Sequence, residues 1–286
     1  MGNEPREWRI NLGIKFMQRS IKLILSFLVL VFGMSSIAMA DTKLRDGTML
    51  SDKPTFIVTY IEAAAGTADQ VAALIKAQTA KSKREKGNLR FEGLQRIIRG
   101  NHFVIMEAWT GPEARAAHAA AAHTVAFRNA LEPHLYAPYD ERPHVGLVAA
   151  DPKSVAKGNG STIYVLTHAD IIPPEQFAPC KRQVDPNGPC GNEMLVGLAK
   201  FGRTHGGNMR FDVLTQSNRS NHMTVVEMWD TAASQAAHQV TPEKKAFRDE
   251  LSGIKAASGV NADPQFVLNM LTGSLYDERR YRLISN

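Results

Sequence analysis

The stretch NHFVIMEAWTGPEARAAH (residues 101–118) returns 120 positions later as NHMTVVEMWDTAASQAAH (residues 221–238). Asn, His, Glu, Trp and the closing His recur at the same spacings. Outward from this core, residues 87–131 and 207–251 align without a gap and share 17 identities in 45 positions. They include Gly87/Gly207, Arg90/Arg210, Phe91/Phe211 and Phe127/Phe247. Ungapped self-similarity of this kind marks one supersecondary unit used twice.

Each half reads as strand, helix, two strands, helix, strand. TFIVTYIEA (55–63) is β-branched and aromatic, a first strand. In the following segment Val71, Leu74, Ile75 and Gln78 trace one helical stripe, with Gly87 beyond its end. NLRFEGLQRIIRGNHFVIMEAW is a hairpin with strands at 89–98 and 102–109. Helical material begins at Pro112, and HVGLVAA (144–150) makes the last strand. The second half repeats this order from STIYVLTHA to QFVLNMLTG (265–273), which precedes a charged tail. With Phe56 matched to Ile163, some 13 extra residues precede Gly207, and the loop framed by Cys180 and Cys190 is where they belong.

The organisation expected is a signal segment (1–40), a first domain (41–152), a short glycine-bearing linker (153–160), a second domain (161–273) and a tail (274–286). A βαββαβ unit leaves one sheet face bare, and that face must be buried. Two copies in one chain are expected to pack bare face to bare face, an internal pseudo-dimer around a shared barrel-like interior. Pairing of each half with another chain, a homodimer, is the alternative.

Arg19 and Lys22 precede the apolar run LILSFLVLVF, and AMA at 38–40 closes it as a cleavage site. The run is short for a membrane span. The mature chain is therefore expected to be exported, periplasmic or secreted, with an uncleaved N-terminal anchor as the alternative. Losing residues 1–40 removes five basic and two acidic side chains and brings the formal charge from +6 to +3. The dense basic run KSKREK (81–86) falls at a helix C-terminus, where cations complement the helix dipole, so no nucleic acid is expected. Cys180 and Cys190 read as a disulfide in an oxidising compartment, with free buried thiols as the alternative. Closing so short a loop would contribute roughly 2–3 kcal/mol.

Strand alternation puts Phe103, Ile105, Glu107 and Trp109 on one face, and likewise Val225, Glu227 and Trp229. A carboxylate among apolar neighbours is costly to bury alone, and its pKa rises. A structural ion pair to Arg90 or Arg210 on the neighbouring strand is the competing reading. Trp109 and Trp229 read as core or pocket walls. His118 and His238 each lie nine residues past the tryptophan. A neutral histidine beside a pocket can act as a base near pH 7; a satisfied core histidine is the competing reading. His123 lies five residues beyond His118, about 140° around a continuous helix, which does not favour metal ligation by that pair. No metal is expected. Glu243 stands where His123 would recur, so the two halves differ. There is no Walker loop, G-x-G-x-x-G, H-E-x-x-H or G-x-S-x-G, which leaves nucleotide, flavin and hydrolase chemistry without a motif.

E-x-W, an alanine-rich helix start, a histidine nine residues past the tryptophan and another five later resemble the antibiotic biosynthesis monooxygenase domain. Glu107, Trp109, His118, His123 and Phe127 carry the resemblance in the first half; Glu227, Trp229, His238 and Phe247 carry it in the second, where Glu243 departs from it. It covers residues 55–150 and 161–273. The resemblance implies an α+β fold of two ferredoxin-like βαββαβ units, their antiparallel sheets packed face to face as an internal dimeric α/β barrel. It also implies a monooxygenase, with no cofactor, that oxidises a quinol or phenolic aromatic with molecular oxygen. On that reading His118 is the base, Glu107 its orienting carboxylate and Trp109 a wall that stacks the substrate. His238 and Glu227 are the second-half counterparts, and Trp229, His123, His168 and Phe127 line the substrate sites. Haem-degrading relatives use a first-strand asparagine; neither first strand has one, although His168 stands on the second. An exported ligand-binding or structural protein with a non-catalytic pocket is the remaining alternative.

Overall fold

The structure, a computed structural model, describes residues 54–171, 190–251 and 275–285. The N-terminal signal segment, Cys180 with the loop it would close, and the stretch 265–273 lie outside the described residues. The first half contains β1 (Thr55–Glu62), α1 (Ala68–Ser82), β2 (Asn88–Arg96), β3 (His102–Trp109), α2 (Pro112–Ala120), α3 (Ala122–Leu131) and β4 (Asp140–Val148). The second contains β5 (Ile163–Asp170), α4 (Gly191–Gly202), β6 (Asn208–Gln216), β7 (His222–Trp229), α5 (Ala232–Gln239), α6 (Pro242–Leu251) and β8 (Leu275–Ser285). Among the described residues no helix is long and apolar enough to cross a membrane.

The eight strands form one closed antiparallel barrel in the order β1-β3-β2-β8-β5-β7-β6-β4. Each half supplies four neighbouring strands. The last strand of each half also pairs across the seam: β4 with β1 and β6, β8 with β5 and β2. Closure removes the open edges that a four-stranded sheet would leave. The expected α+β barrel of two βαββαβ units is thus the observed fold.

Two boundaries and one correspondence differ from expectation. The strand that ends the second half is β8, which lies in the segment read as a charged tail. Its side chains alternate: Tyr281 is 1% exposed and packs inside the barrel with Leu283, whereas Arg280 and Arg282 face out. Arginine on the solvent face hid a strand whose inner face is apolar. The overlooked signal is the tetrapeptide YDER, at 139–142 entering β4 and again at 276–279 within β8. β4 itself starts at Asp140, earlier than the apolar run suggested. Finally, Thr55 faces Trp109 as Ile163 faces Trp229, so Thr55 rather than Phe56 is the counterpart of Ile163.

Two kinds of core follow from strand alternation. Phe56, Val104, Met106, Tyr164, Val226 and Met228 fill the barrel interior from both halves. Ile57, Phe91, Ile105, Trp109 and Phe127 pack the outer face of the first sheet against its helices. Val165, Leu195, Phe211, Trp229 and Phe247 do the same in the second half. Glu107 shares the face of Ile105 and Trp109, so it lies in the layer between sheet and helices. Arg90 stands opposite Ala108 in the β2–β3 register and faces the interior, where it binds Glu92 at 2.7 Å. Arg210 binds Asp212 at 2.5 Å. Alternation therefore overturns the expected pairing of these arginines with Glu107 and Glu227. The repeated glycine is a geometric need: Gly87 and Gly207 take φ of 84° and 81°, and a Cβ at Gly87 would stand 2.5 Å from Ala114 Cβ.

Candidate active site

The E-x-W spacing closes on itself in both halves. A period of two places carboxylate and indole side by side on one face. Trp109 Nε1 donates to Glu107 Oε2 at 2.8 Å, and Trp229 Nε1 donates to Glu227 Oε2 at 2.8 Å. Each buried donor thereby satisfies a buried acceptor. An imidazole then stacks on each indole: His118 on Trp109 at 4.6 Å between centroids, His238 on Trp229 at 4.8 Å, both tilted 30°. The repeated residues form one packed cluster, built twice.

What surrounds the cluster differs between the halves. In the first, Ala121 adopts an extended ψ of 138° and separates α2 from α3. The break corrects the continuous-helix expectation, because it brings His123 to 5.9 Å from His118 between ring centroids. Both rings meet Glu85, with His118 Nδ1 at 2.6 Å and His123 Nε2 at 2.9 Å from the same Oε1. The other nitrogen of His118, Nε2, lies 3.8 Å from Glu107 Oε2. His123 Nδ1 lies 3.1 Å from Gln78 Oε1, and Gln78 Nε2 donates to Thr124 Oγ1 at 3.0 Å. Arg115 Nε is 3.8 Å from Glu107 Oε2, and Arg115 also binds Glu141, which accepts from Arg128 at 2.6 Å. Glu85, Arg115 and Glu141 were not singled out in the sequence, and Gln78 was read only as a member of the helical stripe. Glu85 is hidden in a basic run; Gln78 interrupts an apolar stripe, which was a usable signal.

In the second half His205 stands at the position of Glu85, Gln235 at that of Arg115 and Lys244 at that of Thr124. Lys244 is fully buried, its Nζ 3.7 Å from Glu227 Oε1 and 2.8 Å from Glu278 Oε1. The His205 ring meets His238 edge-on at 5.0 Å. Glu243 is exposed on α6 and lines a groove with Phe201 and Phe247. The buried glutamate keeps a cationic neighbour in both halves, delivered from a different helix.

Burial pushes the Glu107 carboxyl up to about 7, with Arg115 only partly opposing it. Burial raises Glu227 as well, against the pull of Lys244. Desolvation lowers His118 despite its bond to Glu85, and lowers His238 to about 4 with Lys244 adding to the effect. Both imidazoles are therefore neutral at pH 7. With the Nδ1 proton of His118 donated to Glu85, as the hydrogen-bond network assigns it, the Nε2 lone pair faces a carboxyl that titrates near neutrality.

This arrangement sets the pH dependence of stability. A carboxyl raised from 4.5 to about 7 stabilises the fold fully below 4.5, and that contribution is lost as pH rises through 7. Glu107→Gln keeps an acceptor for Trp109 and never ionises. In urea unfolding the variant should match the wild type at pH 5 to within about 1 kcal/mol. By pH 8.5 it should exceed the wild type by up to about 3 kcal/mol. A difference that does not change with pH would remove Glu107 as the titrating group.

The remaining expected site residues are placed as follows. Trp109 is 0% exposed and its face is taken by His118, so it braces the imidazole; no indole face is left for a substrate to stack on. Trp229 is covered by His238 in the same way. Phe127 belongs to the core beneath the first-half helices. His168 lies apart from the His118 cluster and lines a cavity of about 570 Å³ with Tyr60, Arg142, Arg279 and Tyr281. The first-half cluster opens to solvent on the side of Glu85 and His123, whose side chains are 20% and 22% exposed. A second cavity, of about 490 Å³, is lined by Arg128, Leu135, Tyr136 and Tyr139, at the outer end of the chain Glu107–Arg115–Glu141–Arg128.

Residues 54–130 match the antibiotic biosynthesis monooxygenase family. No curated protein sequence matches the chain. Among solved structures, a candidate monooxygenase from Fusobacterium nucleatum superposes with a TM-score of 0.62 at 12% identity, covering 82% of this chain and 93% of that one. A candidate monooxygenase from Lactobacillus acidophilus gives 0.57 at 12% identity over 82% and 95%. An anthrone oxidase-like protein gives 0.51 at 11% identity over 82% and 92%. At such identities the likeness is one of fold, and function must be argued from the site.

Proposed function

We propose that the first half holds a cofactor-independent monooxygenase site that oxidises a quinol or phenolic aromatic with molecular oxygen. The observation that carries this reading is a neutral, buried His118 placed 3.8 Å from Glu107, a carboxyl that titrates near 7. A buried carboxyl that titrates near neutrality beside a neutral imidazole is what proton transfer at physiological pH needs. The family match over residues 54–130 adds support.

On this reading His118 Nε2 accepts the phenolic proton, and Glu85 on Nδ1 stabilises the imidazolium. The phenolate reduces oxygen, and the two join as a hydroperoxide at a ring carbon that carries hydrogen. The O–O bond then breaks as that carbon gives up its proton, leaving a carbonyl and one water. One ring C–H hydrogen, the phenolic O–H hydrogen and O2 become a new C=O and H2O, so no external reductant is consumed. The dry layer between sheet and helices strengthens each charge interaction along the way.

The test is oxygen uptake with a panel of simple quinols. The His118→Ala variant should lose at least about 100-fold in kcat. The His238→Ala variant should stay within about twofold of wild type, because it lies in a separate cluster. Quinol binding without any uptake would instead favour a ligand-binding protein, and equal loss in His238→Ala would reassign the chemistry to the second half.

A further inference from the structure

Three side chains from three segments of the first half meet at one point. Glu85 comes from the turn after α1, His118 from α2 and His123 from α3. Their donor atoms, Glu85 Oε1, His118 Nδ1 and His123 Nε2, lie within 4.8 Å of one another. We propose that Glu85, His118 and His123 bind one divalent transition-metal ion of the zinc class.

The donor set of two imidazole nitrogens and one carboxylate suits zinc and the late first-row metals. The surroundings fit better than the donor set alone would require. A ligating imidazole normally donates its other N–H to an acceptor that fixes ring and tautomer. Here His118 Nε2 faces Glu107 Oε2 at 3.8 Å, and Glu107 is itself held by Trp109. His123 Nδ1 faces Gln78 Oε1 at 3.1 Å, and Gln78 is held by Thr124. His123 thus has an acceptor in hydrogen-bond reach on the side away from the shared point, His118 has a carboxyl that a small shift brings into reach, and each ring can turn a lone pair towards the metal.

The space needed is small. Glu85 Oε1 now sits 2.6 and 2.9 Å from the two nitrogens. Tetrahedral ligands on zinc stand about 3.3 Å apart, so the carboxylate must retreat by roughly half an ångström. Glu85 lies outside any helix and its side chain is 20% exposed, which permits that movement. The same exposed side leaves a fourth position for water. The second half offers contrast: its equivalent positions are His205, His238 and Glu243, the same three ligand types in another order. There Glu243 is exposed and the buried Lys244 ammonium stands where the first half has Thr124. A fixed cation at that point repels a second one, so the site belongs to the first half only.

The inference is separate from the proposed oxidation and limits it. A metal on Nδ1 keeps the proton of His118 on Nε2 and takes the ring out of service as a base. The loaded protein should therefore oxidise quinols more slowly than the stripped protein.

The test uses the full chain without an affinity tag, stripped with chelator and dialysed against Zn²⁺, with bound metal measured by elemental analysis. Co²⁺ in place of Zn²⁺ reports the ligand geometry through its visible absorption. About one Zn²⁺ per chain is expected. Glu85→Gln and His123→Gln should each weaken binding at least about tenfold. His222→Ala, in the separate cluster of His168, Asp170 and His222, should bind like wild type. Thermal unfolding checks that each variant is folded, and Zn²⁺ should raise Tm in the wild type and His222→Ala but far less in the other two. Substoichiometric Zn²⁺ in the wild type, or undiminished binding in Glu85→Gln and His123→Gln, would overturn the proposal; the two histidines would then be plain hydrogen-bond donors to Glu85. Zinc binding without quinol oxidation by the stripped protein would sink only the oxidation.

Discussion

A chain cut after Ser274 loses its cooperative thermal transition. The truncation removes β8, which pairs with β5 from Ile163 to Asp170 on one side and with β2 from Gly93 to Arg96 on the other. It also takes Tyr281, 1% exposed, out of the barrel interior. Roughly ten backbone hydrogen bonds at about 1 kcal/mol each approach the whole stability of an ordinary domain, about 5–15 kcal/mol. The barrel would be left with two open strand edges, which invite aggregation. Near-UV circular dichroism and calorimetry report the loss. Adding the peptide LYDERRYRLIS should restore part of the transition by filling the gap. A truncated chain that melts as sharply as the full one, at a similar Tm, would remove β8 from the barrel.

Lys244→Met is the most damaging single substitution expected in the second half. Lys244 Nζ lies between two carboxylates, 3.7 Å from Glu227 and 2.8 Å from Glu278, and both Lys244 and Glu227 are 0% exposed. Losing one member of a buried ion pair leaves an uncompensated charge and costs about 3–5 kcal/mol. Burial already raises the Glu227 carboxyl, and Lys244 is the main force holding it down. Without the ammonium that carboxyl rises further. A raised acid contributes its stability at low pH and loses it as pH climbs. The destabilisation should therefore grow as pH rises, on top of the lost Glu278 pair, which counts wherever that carboxylate is ionised. The double variant Lys244→Met with Glu227→Gln should recover only the part of the loss that falls on Glu227, because Glu278 still lacks its ammonium partner. Equal destabilisation from pH 5 upward would take the effect away from Glu227 and leave it with the Glu278 pair and packing.

Several features of this protein are legible without coordinates, and each is local. The ungapped recurrence of residues 87–131 announces the doubled unit, and strand alternation assigns Glu107 and Trp109 to one face. The Glu107–Trp109 bond then follows from a spacing of two. Other features escaped for identifiable reasons. Arginines on the outer face of β8 made a strand look like a tail. The break at Ala121 occurs in an alanine run with no proline or glycine to signal it. That break reverses the expected separation of His118 from His123.

By itself the sequence determined the repeat, the strand–helix–hairpin–helix–strand order of each half and the shared face of Glu107 and Trp109, but not the position of the last strand. These rest on periodicity, which needs only near neighbours along the chain. Only the tertiary structure decided which charged groups meet. Glu85 lies 33 residues from His118, in a run that reads as a solvated helix end, yet a turn places its oxygen 2.6 Å from the imidazole. Lys244 reaches Glu278 on β8, a strand that is placed by the opposite half of the barrel as much as by its own. A buried charge is stabilised by whatever stands within a few ångströms of it, and that distance is set by the closed barrel rather than by spacing along the chain.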